Sequence, residues 1–194
     1  MSTPDQAMKK RNDPNFFLHD PSQTVFDVPS VQQFTDNVIN PCLPSTYNFL
    51  TTVLKYLKWQ HDKFKGFHKI IHMGGDEVPH RSYDGKAKSV FANSPQCRLL
   101  IDQNKKVANA TWQLLRPTSM DDLQPYFTKR FLKIIIEHGF SPAAWEEPWT
   151  FGTDCLKNGG TRKKTDCVRP KTDFVDNDAT DLYAFNWNVD FEFK

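Results

Sequence analysis

The chain has 194 residues, of which 38% are hydrophobic and 25% are charged, and its formal net charge is +2. This composition is sufficient for one sizeable core, and the nearly balanced charge gives no electrostatic footprint for a nucleic-acid partner. No apolar run approaches the roughly 20 residues that span a bilayer, and the polar N-terminus lacks the apolar centre of a signal peptide, so no transmembrane segment is expected.

The first predicted element is a helix that follows a polar segment. Residues 1–22 are rich in Asp, Asn, Pro and Lys, which predicts a loose lead-in to a domain over residues 23–194. Pro44 and Ser45 offer a helix start. The apolar residues after them recur with helical spacing: Phe49, Leu50, Val53, Leu54 and Leu57. Gly66 is expected to end this helix in the left-handed conformation, and "FHKIIHM" then predicts a strand.

Two further helices and a second strand are predicted downstream. Ser94 and Pro95 open a helix, and Asp121 or Asp122 caps another. The apolar face of this last helix comprises Leu123, Phe127, Phe131, Ile134 and Ile135. Gly139 is expected to end it, and "FSPAAW" predicts the next strand.

The order of these elements predicts the α/β fold class. A third apolar run, "DLYAFNW" at residues 181–187, follows a polar loop. Strands that alternate with helices predict parallel β/α units. Functional groups at the carboxyl ends of successive strands form the catalytic face of a TIM barrel, but an open doubly wound sheet would look similar over so short a span. The pattern alone leaves these two architectures open.

Two adjacent carboxylates, Asp76 and Glu77, follow a glycine pair where the first strand is predicted to end. Gly74 and Gly75 permit unusual backbone dihedrals and close approach of the backbone to a ligand. Taken alone, this stretch fits a strand that turns into a solvated acidic loop equally well. Together with His72, however, it matches the His-x-Gly-Gly-Asp-Glu signature. The chain therefore resembles glycoside hydrolase family 20, the β-N-acetylhexosaminidases.

The resemblance covers roughly residues 23–190. Residues 34–50, "FTDNVINPCLPSTYNFL", resemble the segment that precedes the signature in bacterial chitobiase-type members. The stretches "AAWEE" and "YAFNWN" resemble later strand ends of the same barrel, which place Trp145 and Trp187 in the sugar pocket. The resemblance implies a portion of a TIM (β/α)8 barrel, about strands 4 to 6 with their helices.

This family resemblance also implies an activity. The reaction is hydrolysis of terminal non-reducing N-acetylhexosamine residues from chitobiose and related β-linked glycans, a substrate-assisted exception to the rule of two catalytic carboxylates. The acetamido oxygen of the substrate is the nucleophile, Glu77 is the proton donor and Asp76 holds the acetamido group. His72 is expected to orient the acidic loop by hydrogen bonds rather than to touch the sugar. No cofactor is implied, and a metal site on His72, Asp76 and His80 is disfavoured because their spacing follows glycines rather than one helix face.

The roles of four residues near the later strand ends stay open. Trp145 and Trp187 are either core aromatics or walls of the sugar pocket, because the apolar C–H faces of a pyranose stack on indole. We favour the pocket, since both follow strands at the catalytic end. Glu146 and Glu147 are either supporting partners of the site or solvated loop residues.

The cysteines suggest disulfides. Cys42 lies before the first helix and Cys97 lies early in the next one, so we expect them to pair if the protein is exported, because disulfides persist in oxidising compartments. Cys155 and Cys167 bracket a loop rich in Gly, Lys and Thr and form a second candidate pair. The family resemblance implies an extracellular, periplasmic or lysosomal location.

The chain is expected to be a partial catalytic domain. A closed barrel needs eight strands and typically about 250 residues, more than the strands predicted here. By resemblance, the sugar-clamping arginine has no counterpart upstream of residue 69, and the acetamide-holding tyrosine lies beyond the chain. We therefore expect the 194-residue polypeptide alone to be inactive. The alternatives are a truncated sugar-binding module and a structural β/α fragment whose acids are solvated.

Overall fold

Helices and short parallel strands form the regular structure of this chain. The computed structural model describes residues 13–24, 38–66, 69–75, 78, 89–106 and 116–145, together with the backbone of 183–185. The elements in chain order are α1 (Pro44–Phe64), β1 (Ile70–His72), α2 (Pro95–Lys105), α3 (Leu123–Glu137), β2 (Ser141–Trp145) and β3 (Tyr183–Phe185). Short 3-10 turns occupy Pro14–Phe16 and Met120–Asp122.

The strands form a parallel sheet in the order β1, β2, β3. His72 of β1 is in register with Ala143 of β2, and Trp145 of β2 is in register with Phe185 of β3. The prediction of a mixed α/β fold with parallel strands is confirmed. Because the strands are parallel, their carboxyl ends share one edge of the sheet, where the residues that follow β1 and β2 come together.

Both predicted glycine stops lie at helix ends, but they act differently. Gly139 follows α3 with φ of 77°, as expected of a glycine in the left-handed region. At the end of α1 the left-handed residue is Lys65, with φ of 51°, so the prediction for Gly66 is wrong. Gly66 instead donates its backbone N–H to the His61 carbonyl at 3.0 Å, the outer bond of a Schellman motif. A Cβ at Gly66 would lie 2.8 Å from His61 Cδ2, so this position needs glycine for space.

The main core lies between α1, α3 and the sheet. Its buried members are Tyr47, Leu50, Leu54, Tyr126, Phe131, Ile135 and Phe140. The Arg130 guanidinium stacks 3.5 Å from the centroid of the Tyr47 ring and donates a hydrogen bond of 2.6 Å to the Tyr126 hydroxyl, so a polar clamp also joins α1 to α3. Of the predicted α1 stripe, Leu50 and Leu54 are buried, whereas Val53 is exposed.

Across the described ranges, no helix is both long and apolar enough to cross a membrane.

The described part of the lead-in, residues 13–22, is packed rather than loose. Leu18 is only 3% exposed, and its carbonyl accepts a hydrogen bond of 2.8 Å from the backbone N–H of Asn40. The Phe17 carbonyl accepts another of 2.7 Å from the Ser45 hydroxyl at the start of α1. The expectation of a loose segment is wrong here because these contacts satisfy its polar backbone groups and bury an apolar side chain.

A buried carboxylate ties the lead-in to the first turn of α2. Asp20 is fully buried, and its Oδ2 accepts hydrogen bonds from the Ser94 hydroxyl at 2.6 Å and from the Gln96 backbone N–H at 2.8 Å. Its Oδ1 accepts from the Ser22 backbone N–H at 3.0 Å. Asn40 donates to the Ser94 hydroxyl at 3.0 Å. Asp20 therefore caps α2 from a distant part of the sequence, where a negative charge also meets the positive end of the helix dipole.

We expect Asp20→Asn to destabilise the fold at neutral pH. Burial raises the pKa of Asp20, but its hydrogen bonds outweigh burial and leave the pKa below its usual value. A carboxyl with a lowered folded-state pKa stabilises the fold above about pH 4 and loses this contribution as the pH falls through the folded-state pKa. Charge-assisted hydrogen bonds of this kind contribute about 1.5–3 kcal/mol, so a loss of that order is expected at pH 7.

Urea titrations of the natural gene product that contains this chain, at several pH values, measure this effect. The difference between wild type and Asp20→Asn should begin to shrink below about pH 4, where the unfolded chain takes up the proton, and should vanish only below the lowered folded-state pKa of Asp20. The exposed Asp102→Asn in α2 is the matched control and should change stability little. A pH-independent difference would contradict the role of the Asp20 charge.

The structure places Cys42 and Cys97 in a disulfide that joins the segment before α1 to the first turn of α2. Their Cα atoms are 5.1 Å apart, and Cys97 is fully buried. The Asn40 side chain accepts a hydrogen bond of 2.9 Å from the Cys42 backbone N–H, which links the bridge to the Asp20 network. Cys155 and Cys167 lie outside the described residues.

Candidate active site

The candidate site is built at the carboxyl end of β1, where the glycine pair follows the strand. Gly74 and Gly75 have φ values of 68° and 92°. Both values lie in the region that side chains with a Cβ rarely adopt, so these positions require glycine for the backbone path that leads to the next residues. The unusual dihedrals expected for this pair are present in the structure.

His72 and Trp145 lie together beside the first glycine. The Gly74 backbone N–H donates to His72 Nδ1 at 3.1 Å, and the Trp145 backbone N–H donates to the Gly74 carbonyl at 3.3 Å. The rings of His72 and Trp145 meet edge to face, with centroids 5.2 Å apart. Because a backbone N–H can only donate, His72 Nδ1 is the acceptor in this bond. The histidine thus braces the turn that precedes the acids.

A third residue reaches the glycine pair from α3. Gln124 is 4% exposed, and its side-chain Nε2 donates a hydrogen bond of 3.1 Å to the Gly75 carbonyl. Gln124 is not part of the His-x-Gly-Gly-Asp-Glu signature and was not predicted to belong to the site. A signal was present nonetheless: residues 124, 128, 131 and 135 are the buried stripe of α3, and a glutamine occupies its N-terminal end. A helix that precedes a parallel strand begins at the carboxyl edge of the sheet, so this end of the stripe faces the site.

The remaining predicted site residues lie outside the described ranges. Asp76 and Glu77 directly follow Gly75 in the sequence, and Trp187 follows β3 by two positions. Glu146 and Glu147, which follow Trp145, also lie outside the described residues. So does His80, the third member of the disfavoured metal site. The structure therefore brings together His72, Gly74, Gly75 and Trp145 of the predicted set.

The sequence of this chain matches the model of one enzyme family. Residues 4–166 match the model of the catalytic domain of glycosyl hydrolase family 20. The chain belongs to glycosyl hydrolase family 20. The matched stretch includes most of the lead-in, β1 with its glycine pair, and β2. The catalytic domain of family 20 is a TIM barrel, and this chain covers only a fraction of such a domain.

Sequence similarity to individual β-hexosaminidases is consistent with membership of family 20. The chain is 31% identical over 118 residues to a β-hexosaminidase of Vibrio furnissii, a match that covers 61% of this chain. It is 26% identical over 133 residues to a β-hexosaminidase of Vibrio vulnificus, a match that covers 68% of this chain. These matches span only 15% and 13% of the two relatives' own lengths, so the chain corresponds to a small part of each.

A solved structure of a family 20 enzyme shares the fold. The exo-β-N-acetylglucosaminidase of Vibrio harveyi, in complex with N-acetylglucosamine, superposes with a TM-score of 0.54 at 23% sequence identity. The superposition covers 92% of this chain and 20% of that enzyme. At this identity the likeness concerns the fold.

Proposed function

We propose that this chain carries the acid-bearing part of a β-N-acetylhexosaminidase that removes terminal non-reducing N-acetylhexosamine residues from β-linked glycans. The observation that carries the proposal is the braced glycine pair at the end of β1, which leads directly into Asp76 and Glu77 within a family 20 domain. Its strands correspond to about strands 4 to 6 of the barrel. Chitobiose and related glycans are the proposed substrates.

In the proposed reaction, the substrate supplies its own nucleophile. The acetamido carbonyl oxygen bonds to the anomeric carbon while the glycosidic C–O bond breaks, and the departing oxygen takes a proton from the Glu77 carboxyl. The Asp76 carboxylate accepts a hydrogen bond from the acetamido N–H and stabilises the positive charge of the oxazolinium ring. Water, deprotonated by the Glu77 carboxylate, then attacks the anomeric carbon and reopens the ring. Two inversions at this carbon give a product with retained configuration.

Trp145 is proposed to form one wall of the sugar pocket, with Trp187 as another. Trp145 is half-buried at the carboxyl end of β2, and its ring lies edge to face against that of His72. An indole held in this way presents apolar surface to the C–H face of a pyranose. The Vibrio harveyi enzyme, which shares the fold, was solved with N-acetylglucosamine bound.

A second candidate is a truncated, catalytically incomplete sugar-binding or structural β/α fragment. It is favoured by the short share of the relatives' lengths that the chain matches, 13–15%. A closed barrel has eight strands, and the described residues form three of them. We therefore propose that the 194-residue polypeptide on its own is inactive and prone to aggregate, because the three strands of the described residues do not by themselves close a barrel.

Asp76→Asn tests the proposed acetamido partner. An amide cannot stabilise the developing positive charge as a carboxylate does, and a hydrogen bond from a charged group contributes about 1.5–3 kcal/mol. We expect kcat/KM of the natural gene product on aryl N-acetylglucosaminides to fall about 10- to 100-fold. Any residual activity on aryl glucosides, which lack the acetamido group, should not change. An equal loss on both substrate classes would exclude this role for Asp76.

A further inference from the structure

The glycine pair is held from three directions, and each hydrogen bond comes from a different element or turn. His72 Nδ1 accepts from the Gly74 N–H, and the Trp145 N–H donates to the Gly74 carbonyl. The third bond runs from Gln124 Nε2 to the Gly75 carbonyl. The first two are local to the two strand ends. The third bond connects α3 to Gly75, the residue directly before Asp76 and Glu77.

Gln124 is an unusual residue for its position. It occupies a buried stripe of α3 and is only 4% exposed, where an apolar side chain would pack without any need for a hydrogen-bonding partner. Leu123 beside it is fully buried in a second apolar cluster with Phe91, Cys97 and Ile101, and Tyr126, two residues after Gln124, belongs to the main core. The rotamer of Gln124 is therefore confined by packing, and its amide reaches one specific backbone oxygen.

Fixing the Gly75 carbonyl has a direct consequence for the chain that follows. The peptide bond is planar, so the direction of the Gly75 carbonyl also sets the plane that contains the Asp76 backbone nitrogen and Cα. Glycine has the widest choice of backbone conformations, so without an external contact Gly75 would constrain this plane weakly. The Gln124 amide supplies that external contact.

We propose that Gln124 is a positioning residue that holds the Asp76–Glu77 pair in its productive orientation through the hydrogen bond from its Nε2 to the Gly75 carbonyl. This inference rests on the proposed function of the two acids. Gln124 touches neither the substrate nor the reacting atoms. Its effect reaches catalysis because a displacement of the general acid by a fraction of an ångström weakens proton transfer to the leaving oxygen.

The test uses Gln124→Met in the natural gene product that contains this chain. Methionine keeps the length and apolar stem of glutamine but has no N–H to donate. We expect kcat on chitobiose to fall about tenfold while KM changes less than about twofold, because the acid is misplaced but sugar binding is retained. Activated aryl substrates, which need less proton donation, should lose less. Gln103→Met, at an exposed position of α2, is the matched control and should have no effect.

Hydrogen exchange separates this inference from the proposed function. In Gln124→Met, amides of the peptide spanning residues 69–78 should exchange faster than in wild type, whereas those of α2 should not. This readout does not require turnover. If the wild type hydrolyses no hexosaminide but the exchange changes as described, the proposed function fails and the positioning contact stands.

Three results would overturn the positioning role. They are unchanged exchange over residues 69–78, equal losses on chitobiose and aryl substrates, or a loss confined to KM. If the variant does not fold, the wild type decides the question through the side-chain amide protons of Gln124. Protection of these protons from exchange supports the contact, and exchange as fast as that of Gln103 refutes it.

Discussion

Replacing Glu77 with glutamine is expected to slow hydrolysis of substrates with poor leaving groups by at least ~10²-fold, because general acid catalysis contributes about 10²–10⁴ in rate. Glutamine has nearly the same size but carries no transferable proton. An alkoxide leaving group of a natural glycan needs that proton, whereas an activated aryl oxide departs without full protonation. The loss should therefore be large on chitobiose and smaller on activated aryl N-acetylglucosaminides.

Steady-state kinetics of the natural gene product on a graded series of leaving groups measure this dependence. In Glu77→Gln, a plot of rate against leaving-group pKa should become steeper than in wild type. Glu137→Gln, at an exposed glutamate in the last turn of α3, is the matched control and should leave the slope unchanged. Equal losses across the series would remove Glu77 from the role of general acid.

Loss of the Cys42–Cys97 disulfide is the largest stability effect expected. The bridge joins residues 55 apart in sequence, and the chain-entropy model assigns a loop of this length about 4 kcal/mol. It also fixes the segment before α1 against the first turn of α2, next to the buried Asp20 network. Removing the bridge should therefore lower the free energy of unfolding and weaken the attachment of the lead-in to the helices.

The two single alanine variants and the double variant together identify this effect in urea titrations. Each single variant already breaks the bridge, so Cys42→Ala, Cys97→Ala and the double variant should lose similar amounts. This non-additivity is the signature of a shared interaction. A double variant that loses the sum of two independent effects, or single variants that lose less than about 1 kcal/mol, would show that the bridge does not stabilise the protein.

Local patterns were sufficient to predict elements whose signals lie within one stretch of sequence. The apolar spacing of α3, its glycine stop and the strand that follows are examples, because helix periodicity and a left-handed Gly139 depend on neighbouring residues. The packed lead-in was not predictable in this way. The polar composition that suggested a loose segment includes Asp20, whose partners Ser94 and Gln96 lie 74 and 76 residues away.

The candidate site shows the same division. The signature motif identified His72 and the glycine pair, because their residue types and spacing are specific. The role of Gln124 depends on a contact across 49 residues, which no local pattern encodes. Only the parallel register, which brings the start of α3 to the carboxyl edge of the sheet, places this glutamine beside Gly75.

The most direct test of the central claim is the dependence of the rate on the nucleophilicity of the substrate's acetamido group. Aryl glucosaminides with acetyl, fluoroacetyl, difluoroacetyl and trifluoroacetyl groups differ in the electron density of the participating carbonyl oxygen. If this oxygen attacks the anomeric carbon, kcat/KM of the natural gene product should fall with each added fluorine, by at least about tenfold over the series. A rate that does not change with fluorination, or an absence of turnover on every member, would contradict the account.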